Sequence, residues 1–451
     1  MAIRGHRATS RGIVVGIFSV IVALAVVLAI VYSVDRNGSP SPAANPSAAN
    51  PSAKAKECAG KLIDQTFKNG AVWSMCWSID PYAGLVLSHI SFGPAGGHDP
   101  IPIISTMSLG QLQVPYDTGL RETADITSQG FGGRDLQSIS TAECTGTIHS
   151  AYVPNYGDGK IGGGQNRPVL CTQVDDTGLA FRSNHGGTVV AGQGQSLVVS
   201  TISKVGWYEY VDQYSFTDEG MIAPELGATG TLSPSDYTTD PAQGSPLGPG
   251  DTDRAASHTH NAVWKVHWDL GGSGALRALE YNAAFNGKQG PKSPEIDGEY
   301  TTLTRETKRD LADRRWWEVE NPGRRNADGH PISYEIDLGA TDSYATGATT
   351  PVTDGPDYDV AFTQYKSCEQ FASFNRDPGC PGGVDQYVSD HQQLTDVVSW
   401  VAVGFHHVPR DEDQAPMEVH WQGFSMMPRD LSAQRPDPPK GYASDNGRAP
   451  G

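Results

Sequence analysis

The sequence predicts a mainly β protein built as a large antiparallel β-sandwich. Its 451 residues include 52 Gly and 31 Pro and are only 19% charged, a turn-rich composition that favours β architecture over helical bundles. From about residue 57 the chain consists of short apolar runs rich in Val, Ile and Ser, broken by Gly, Pro and Asp. Since large β-sandwiches run to about 250 residues or more as one unit, we predict one domain over 57–431.

The individual elements follow from those runs. The clearest strands are predicted at 84–92, 102–109, 196–205 and 396–405, and a further strand-like run covers 198–210. The charge-rich segment 304–320 fits a helix or a solvated loop equally well. Polar stretches at 233–256 and 321–358 are predicted as loops, and the tail at 432–451 as disordered.

The N-terminal region predicts a membrane anchor. Residues 1–12 are basic, and residues 13–34 form an uncharged apolar stretch that reaches roughly 33 Å as a helix, enough to cross a bilayer. The positive-inside rule places residues 1–12 in the cytoplasm and the rest outside the cell, on a Pro/Ala/Ser stalk at 35–56. A cleaved signal peptide is the alternative, but the run is long and no clear A-x-A site follows it.

Charge and cysteines restrict the function classes. A formal net charge of −18 excludes nucleic acid as an expected partner and favours cationic small molecules. The six cysteines fall into three sequential pairs without C-x-x-C spacing, and an exported, oxidising location predicts disulfides. The pairs are Cys58–Cys76, Cys144–Cys171 and Cys368–Cys380.

Histidines provide the strongest functional signal. His258 and His260 stand in SHTHNAVWKVHWD, and because a strand repeats every two residues, an H-x-H pair points both imidazoles to one side. A third histidine follows in VAVGFHHVPRDED, where His406 and His407 are adjacent. Three imidazoles with open coordination positions suit copper or zinc in a catalytic role.

Together, several segments resemble the catalytic domain of copper-containing quinone (topaquinone) amine oxidases. HTHNAVWKVHWDLGG is similar to the H-x-H metal strand of that family, and DVVSWVAVGFHHVPRDED to its third-histidine segment. SKVGWYEYVDQYSF resembles the segment with the cofactor-forming tyrosine, and MSLGQLQVPYD the stretch with the tyrosine that hydrogen-bonds the quinone. AECTGTIHSAY and RPVLCTQVDD resemble the segments that hold a family disulfide. The resemblance spans residues 72–428 in the family's order.

The resemblance implies a role for each matching residue. His258, His260 and His407 would bind copper, with His407 favoured over His406 by the spacing to the following Pro-Arg. Tyr208 would be the precursor of the quinone, and Tyr116 the tyrosine that bonds to it. Asp269 and Asp396 would belong to a structural calcium site in which His267 replaces a third aspartate. A homodimer is implied as well.

Two positions depart from the family pattern. The family has Asn-Tyr-Asp/Glu-Tyr where this chain has Trp207-Tyr208-Glu209-Tyr210, so we expect Trp207 to crowd the cofactor site and to slow its formation. The family's catalytic carboxylate aligns with Thr127, whose hydroxyl is a poor general base. Asp125 lies two residues earlier, on the same face of a predicted strand, and is the candidate replacement; a solvated turn carboxylate is the alternative.

Three functions remain from these observations. The first is a membrane-tethered primary amine oxidase that turns a primary amine, water and dioxygen into aldehyde, ammonia and hydrogen peroxide. The second is a copper-binding descendant that does not form the quinone, and the third is a metal-free binding module on the same scaffold. The three histidines argue against the third, and Trp207 and Thr127 favour the second over the first.

Overall fold

A computed structural model of the protein describes residues 58–433 and 435. Within this range it leaves out residues 60, 97–98, 119–120, 124, 158–159, 186–187, 234–236, 239, 241, 243, 251–252, 273, 288–295, 340 and 343–356. The predicted basic segment, anchor and stalk, and most of the predicted tail, lie outside the described residues. Among the residues that are described, no helix combines the length and apolarity needed to cross a bilayer.

Strands dominate the described part of the chain, which confirms the predicted mainly β class. The first strands are β1 (Leu62–Thr66), β2 (Val72–Asp80), β3 (Gly84–Gly93), β4 (Ile101–Pro115), β5 (Arg121–Thr123), β6 (Thr147–Gly157), β7 (Lys160–His185), β8 (Thr188–Val205), β9 (Tyr208–Thr217) and β10 (Ile222–Gly230). The later ones are β11 (Tyr237–Thr238), β12 (Ser245–Pro246), β13 (Arg254–Ala255), β14 (His258–Trp268), β15 (Arg277–Phe285), β16 (Ile296–Leu303), β17 (Thr307–Arg309), β18 (Arg315–Arg325), β19 (Pro331–Asp337), β20 (Val360–Gln364), β21 (Val397–His407), β22 (Met417–Gly423) and β23 (Ser425–Arg429). Within the residues that the structure describes, helical structure is limited to α1 (Ile126–Gln129), α2 (Val384–Tyr387) and short 3-10 turns.

Two antiparallel sheets carry the functional residues. The first has the order β1-β2-β3-β4-β14-β21-β20-β17, with β5 paired to β4. The second has the order β16-β15-β18-β19-β23-β10-β9-β8-β7-β6, with β22 also paired to β10. The short strands β11, β13 and β12 form a third sheet.

The two large sheets pack through one hydrophobic core. It includes Trp73 of the first sheet and Phe216 of the second, which are at most 1% exposed and whose rings lie 5.1 Å apart. The indole nitrogen of Trp73 also donates to the carbonyl of Thr217 at 2.7 Å, so a hydrogen bond crosses the interface. Strict alternation along β9 turns every second side chain into this core.

The strands agree with most of the sequence predictions. The four apolar runs lie in β3, β4, β8 and β21, as predicted. The run at 198–210 is not one strand, because a turn at 206–207 separates β8 from β9. The segment 304–320 forms β17 and the start of β18 rather than a helix, and the predicted loop at 321–358 contains β19. Charged side chains misled the prediction at 304–320, where all of β17 and the first two residues of β18 are only partly buried and so keep their charges near solvent.

The three predicted disulfides are confirmed. Cys58–Cys76 and Cys368–Cys380 close short segments, with sequence separations of 18 and 12. Cys144–Cys171 spans 27 residues and links the loop before β6 to β7, in a small buried cluster with Ile139. The described residues contain no free cysteine.

Candidate metal centre and cofactor tyrosine

Three buried histidines from neighbouring strands converge at one end of the first sheet. His258 and His260 begin β14, and His407 ends β21, directly opposite His258 in the antiparallel register. All three are at most 2% exposed, and each offers a ligand atom within 4.8 Å of the others. The alternation of a strand therefore brings the H-x-H pair and the distant third histidine together as predicted.

Each imidazole is held in place through one ring nitrogen. Nδ1 of His258 donates to the carbonyl of Ala256 at 3.2 Å, and Nδ1 of His260 lies 3.1 Å from the Tyr210 hydroxyl. Nε2 of His407 donates to Asp413 at 2.9 Å. Such partners fix the tautomer and orientation of metal-binding histidines.

The opposite nitrogens of the three rings lie close to one another. Nε2 of His258 and Nδ1 of His407 lie 3.3 Å apart, and Nε2 of His260 is buried without a hydrogen-bond partner among the described residues. A buried nitrogen that lacks a partner is unfavourable unless something binds it. The donor set of three imidazoles and the unpaired nitrogen thus fit a copper ion.

Electrostatics keep these rings neutral. Burial, together with the neighbouring imidazole of His407, lowers the pKa of His258 to about 3. Burial also lowers the pKa of His260 well below its usual value, and that of His407 despite the opposing effect of Asp413. Neutral imidazole is the form that binds a metal.

Tyr208 lies against this cluster from the opposite sheet. As the first residue of β9 it faces inward and is 4% exposed. Its hydroxyl donates to Nε2 of His258 at 2.7 Å and lies 3.3 Å from Nδ1 of His407. The phenol oxygen thus occupies a position between two prospective metal ligands.

Tyr116 is buried beside the histidine cluster, whereas Trp207 is exposed. Tyr116 is 2% exposed, and its ring stacks on His258 with centroids 4.5 Å apart. Trp207 is 49% exposed because it belongs to the turn between β8 and β9, where the side chain preceding an inward residue points outward. The expectation that Trp207 crowds the cofactor site is therefore not supported.

Asp125 is held by a local network and is not part of a strand. It caps α1, and its carboxylate accepts from the Thr127 amide at 2.9 Å and from the Thr127 hydroxyl at 2.7 and 2.6 Å. The Gln111 amide nitrogen donates to it at 3.3 Å. The prediction of a strand here was wrong, because the segment forms a four-residue helix and Asp125 is its N-cap. Thr127 is fully buried and orients Asp125.

The remaining predicted residues lie elsewhere. His406 is exposed and its Nε2 lies 3.1 Å from Asp117, which leaves His407 as the inward histidine. Asp269 and Asp396 line one cavity of about 390 Å³, but Asp396 accepts from Nε2 of His267 at 2.7 Å. An imidazole therefore already pairs with one of the two carboxylates, and calcium binding stays a prediction.

Sequence reasoning missed three buried groups near the centre. Tyr210 and Asp212 follow Tyr208 on the inward face of β9, so strand alternation could have identified both. Asp212 is fully buried, and neither carboxylate oxygen accepts a hydrogen bond of good geometry from the described residues; burial raises its pKa to about 8 although the neighbouring Tyr214 hydroxyl acts in the opposite direction. Asp413, beyond His407, is also fully buried, but no local pattern signalled its contact with that ring.

Comparisons with known proteins agree with this geometry. Residues 67–438 match the family model for the copper amine oxidase enzyme domain. Primary amine oxidase 2 of Arabidopsis thaliana is 25% identical over 415 residues, covering 84% of this chain and 59% of the relative. Histamine oxidase of Arthrobacter globiformis is 25% identical over 395 residues, covering 81% of this chain and 56% of the relative.

Solved structures have the same fold at lower identity. A copper-containing benzylamine oxidase from Hansenula polymorpha aligns with a TM-score of 0.70 at 20% identity, covering 85% of this chain and 63% of that one. An amine oxidase from Aspergillus nidulans aligns with a TM-score of 0.67 at 17% identity. The chain spans less than two thirds of the length of these relatives.

Proposed function

The chain belongs to the copper amine oxidase family, and we propose that it oxidises a primary amine with dioxygen and water to an aldehyde, ammonia and hydrogen peroxide. It would use copper and a quinone derived from Tyr208. The observation that carries this proposal is the Tyr208 hydroxyl, 2.7 Å from Nε2 of His258 within a cluster of three neutral imidazoles. A phenol in contact with metal ligands is what oxidation of the ring by a bound metal requires.

The metal-holding residues are His258, His260 and His407. Copper would supply one-electron chemistry with dioxygen, and the quinone an electrophilic carbonyl for a primary amine. The protein's own contribution is orientation, because each imidazole is anchored by a separate partner. Tyr208 is equally fixed, since β9 is hydrogen-bonded between β8 and β10.

We assign Asp125 as the general base. Its carboxylate would accept the proton from the carbon next to the substrate nitrogen, a role that needs an unprotonated carboxylate on an ordered support. The Thr127 hydroxyl and amide hold the carboxylate in one orientation, so Thr127 acts as a positioning residue. Thr127, at the family's base position, therefore positions the carboxylate of Asp125, two residues earlier in the chain.

We also propose that the domain is displayed outside the cell on the predicted anchor at 13–34, as a homodimer. Three disulfides support an oxidising compartment. The homodimer rests on the family resemblance alone. Protease treatment of intact cells and light scattering of the purified protein test the two statements separately.

The decisive experiment is a reaction with a hydrazine. The copper-loaded, aerated protein should become coloured with phenylhydrazine, and the Tyr208 peptide should carry added oxygen mass. Tyr208→Phe should abolish both while copper remains bound, because the phenol is the precursor and does not hold the metal. Tyr214→Phe, on the same face of β9, is the matched control and should behave as the wild type.

A copper-binding protein without the quinone is the second candidate. It is favoured by Thr127 at the family's base position, whereas Trp207 adds no support because its side chain is exposed in the turn before β9. Wild-type protein that binds copper, keeps Tyr208 unmodified and never reacts with phenylhydrazine would establish this alternative and rule out the oxidase.

A further inference from the structure

A second cluster of metal-binding side chains adjoins the three-histidine site. His407, Asp413 and His420 each place a donor atom within 4.8 Å of the others. Nε2 of His407 lies 2.9 Å from Oδ2 of Asp413, and Nε2 of His420 lies 3.5 Å from Oδ1. Because Nδ1 of His407 lies 3.3 Å from His258, the two nitrogens of His407 serve different clusters.

Ordered elements hold these three groups. Asp413 is fully buried, and its Oδ2 accepts from the backbone amide of Arg410 at 2.8 Å. His420 lies on β22 opposite Ala228 of β10, and only 12% of its side chain is exposed. The rings of His407 and His420 are 4.7 Å apart and almost perpendicular, so both edges can approach the same carboxylate.

Two polar atoms of the cluster lack hydrogen bonds within the described part of the chain. Oδ1 of Asp413 and Nδ1 of His420 are buried and have no hydrogen-bond partner among the described residues. Burial of a carboxylate oxygen without a partner is unfavourable, whereas a bound cation would compensate for it. The unpaired oxygen is the one that faces His420.

Local charge also favours a cation. Between residues 410 and 418 four carboxylates stand against the single guanidinium of Arg410. The Arg410 Nε lies 3.6 Å from Oδ1 of Asp413, beyond hydrogen-bond distance, and its half-exposed side chain also pairs with Glu418. Arg410 therefore balances part of the negative charge but can swing towards solvent. Glu418 lies 3.6 Å from Nε2 of His420, so its carboxylate is close enough to contribute to the negative charge around the cluster.

We propose that Nε2 of His407, Asp413 and His420 form a second transition-metal site that shares the His407 ring with the copper site. Because both ring nitrogens then bind a metal, the Nε2 proton that Asp413 accepts is released to solvent and His407 bridges the two ions as imidazolate. Two imidazole nitrogens and a carboxylate are ligands that Zn²⁺ and Cu²⁺ prefer. This inference rests on the proposed function in one respect, the copper ion bound to the shared His407 ring. It does not depend on formation of the quinone. If Asp413 merely orients His407, His420 contributes no metal binding, and that difference can be measured.

Metal stoichiometry tests the site. Metal is removed from the full chain with a chelator, and the protein is then incubated with Zn²⁺ and desalted. Its zinc content per chain is measured by elemental mass spectrometry. Wild type should hold about two zinc ions per chain, and His420→Phe, which keeps the ring volume but removes the nitrogens, about one. His258→Ala/His260→Ala should keep about one, and exposed His330→Ala should match wild type.

The outcomes separate the two sites. Wild type with one zinc, unchanged in His420→Phe, would overturn the second site. One zinc that is lost in His420→Phe but kept in His258→Ala/His260→Ala would support it and refute the three-histidine site instead. Unchanged thermal melting of metal-free His420→Phe confirms that the variant is folded.

Electron paramagnetic resonance tests the shared imidazole. In a Tyr208→Phe background, which prevents cofactor formation, two Cu²⁺ ions bridged by His407 should couple magnetically, so the signal should fall well below the copper content. A protein with zinc in one site and copper in the other should show the full signal expected for its copper content. His420→Phe, which has only one copper site, should also show the full signal for its copper content. Two bound copper ions with full intensity would overturn the bridge.

Discussion

Replacing Tyr210 by phenylalanine should weaken copper binding without touching a ligand. Tyr210 is 1% exposed, and its hydroxyl lies 3.1 Å from Nδ1 of His260. Among the described residues it is the sole hydrogen-bond partner of that ring. Burial raises the pKa of Tyr210, so the hydroxyl stays neutral and can accept from Nδ1 while Nε2 remains free for a metal.

The expected magnitude follows from this single contact. Loss of a partner that orients a metal-binding histidine typically lowers affinity by about 10- to 100-fold, or about 1.4–2.8 kcal/mol. The variant leaves His260 with two unpaired nitrogens in a dry environment, so the ring can turn and loses its preferred tautomer. No compensating group is within hydrogen-bond distance in the described structure.

Competition with a chelator of known affinity measures the effect. Tyr214→Phe is the matched control, because it removes a buried hydroxyl from the same face of β9 without contacting a histidine. Its copper affinity should equal that of the wild type. A Tyr210→Phe protein that binds copper as tightly as the Tyr214→Phe control would refute the role assigned to this hydrogen bond.

Three further predictions address the base, the buried carboxyl and a disulfide. Asp125→Asn should lower turnover at least about 100-fold while copper binding and the phenylhydrazine reaction persist; turnover within a few fold of wild type would exclude Asp125 as the base. The pKa of Asp212 is about 4 in the unfolded chain and is raised to about 8 in the folded protein. Between these pH values the folded state therefore binds a proton that the unfolded state has lost, so the free energy of unfolding should fall as pH rises from about 4 to about 8. Asp212→Asn should flatten this pH dependence, and at pH 8 its free energy of unfolding by denaturant should exceed that of the wild type by at least about 2 kcal/mol. Parallel pH curves of the unfolding free energy for the two proteins would contradict this prediction. Cys144→Ser/Cys171→Ser should lose roughly 3–4 kcal/mol of unfolding free energy for a loop of this length, and an unchanged denaturation midpoint would argue against a stabilising bridge.

Strand patterning predicted the most reliable parts of the fold and the site. The H-x-H spacing placed His258 and His260 on one side because a strand alternates regardless of its neighbours. His407 was predicted through the resemblance, since pairing of β14 with β21 depends on packing across the whole sheet. Asp125 was misplaced because a four-residue helix is too short for any periodic signal, and only its capping bonds reveal it.

His420 illustrates why the remainder was not predictable. Its contact with Asp413 joins residues seven apart in the chain, between the 3-10 turn at Asp411–Asp413 and β22, which is held against β10. A lone histidine in an alternating polar strand carries no local mark of such a neighbour. Trp207 shows the converse, since its identity suggested steric interference but its position in a turn directs it to solvent.

The distribution of the centre between two sheets has an evolutionary consequence. All three histidines belong to the first sheet, whereas Tyr208 and Tyr210 come from the second. Substitutions on β9 can therefore abolish self-oxidation while the copper ligands persist, and sliding of one sheet past the other would alter the distance of the phenol without dismantling the ligand set. Metal capture and cofactor synthesis are separately mutable traits in this architecture, so a lineage could abandon the second and still inherit the first.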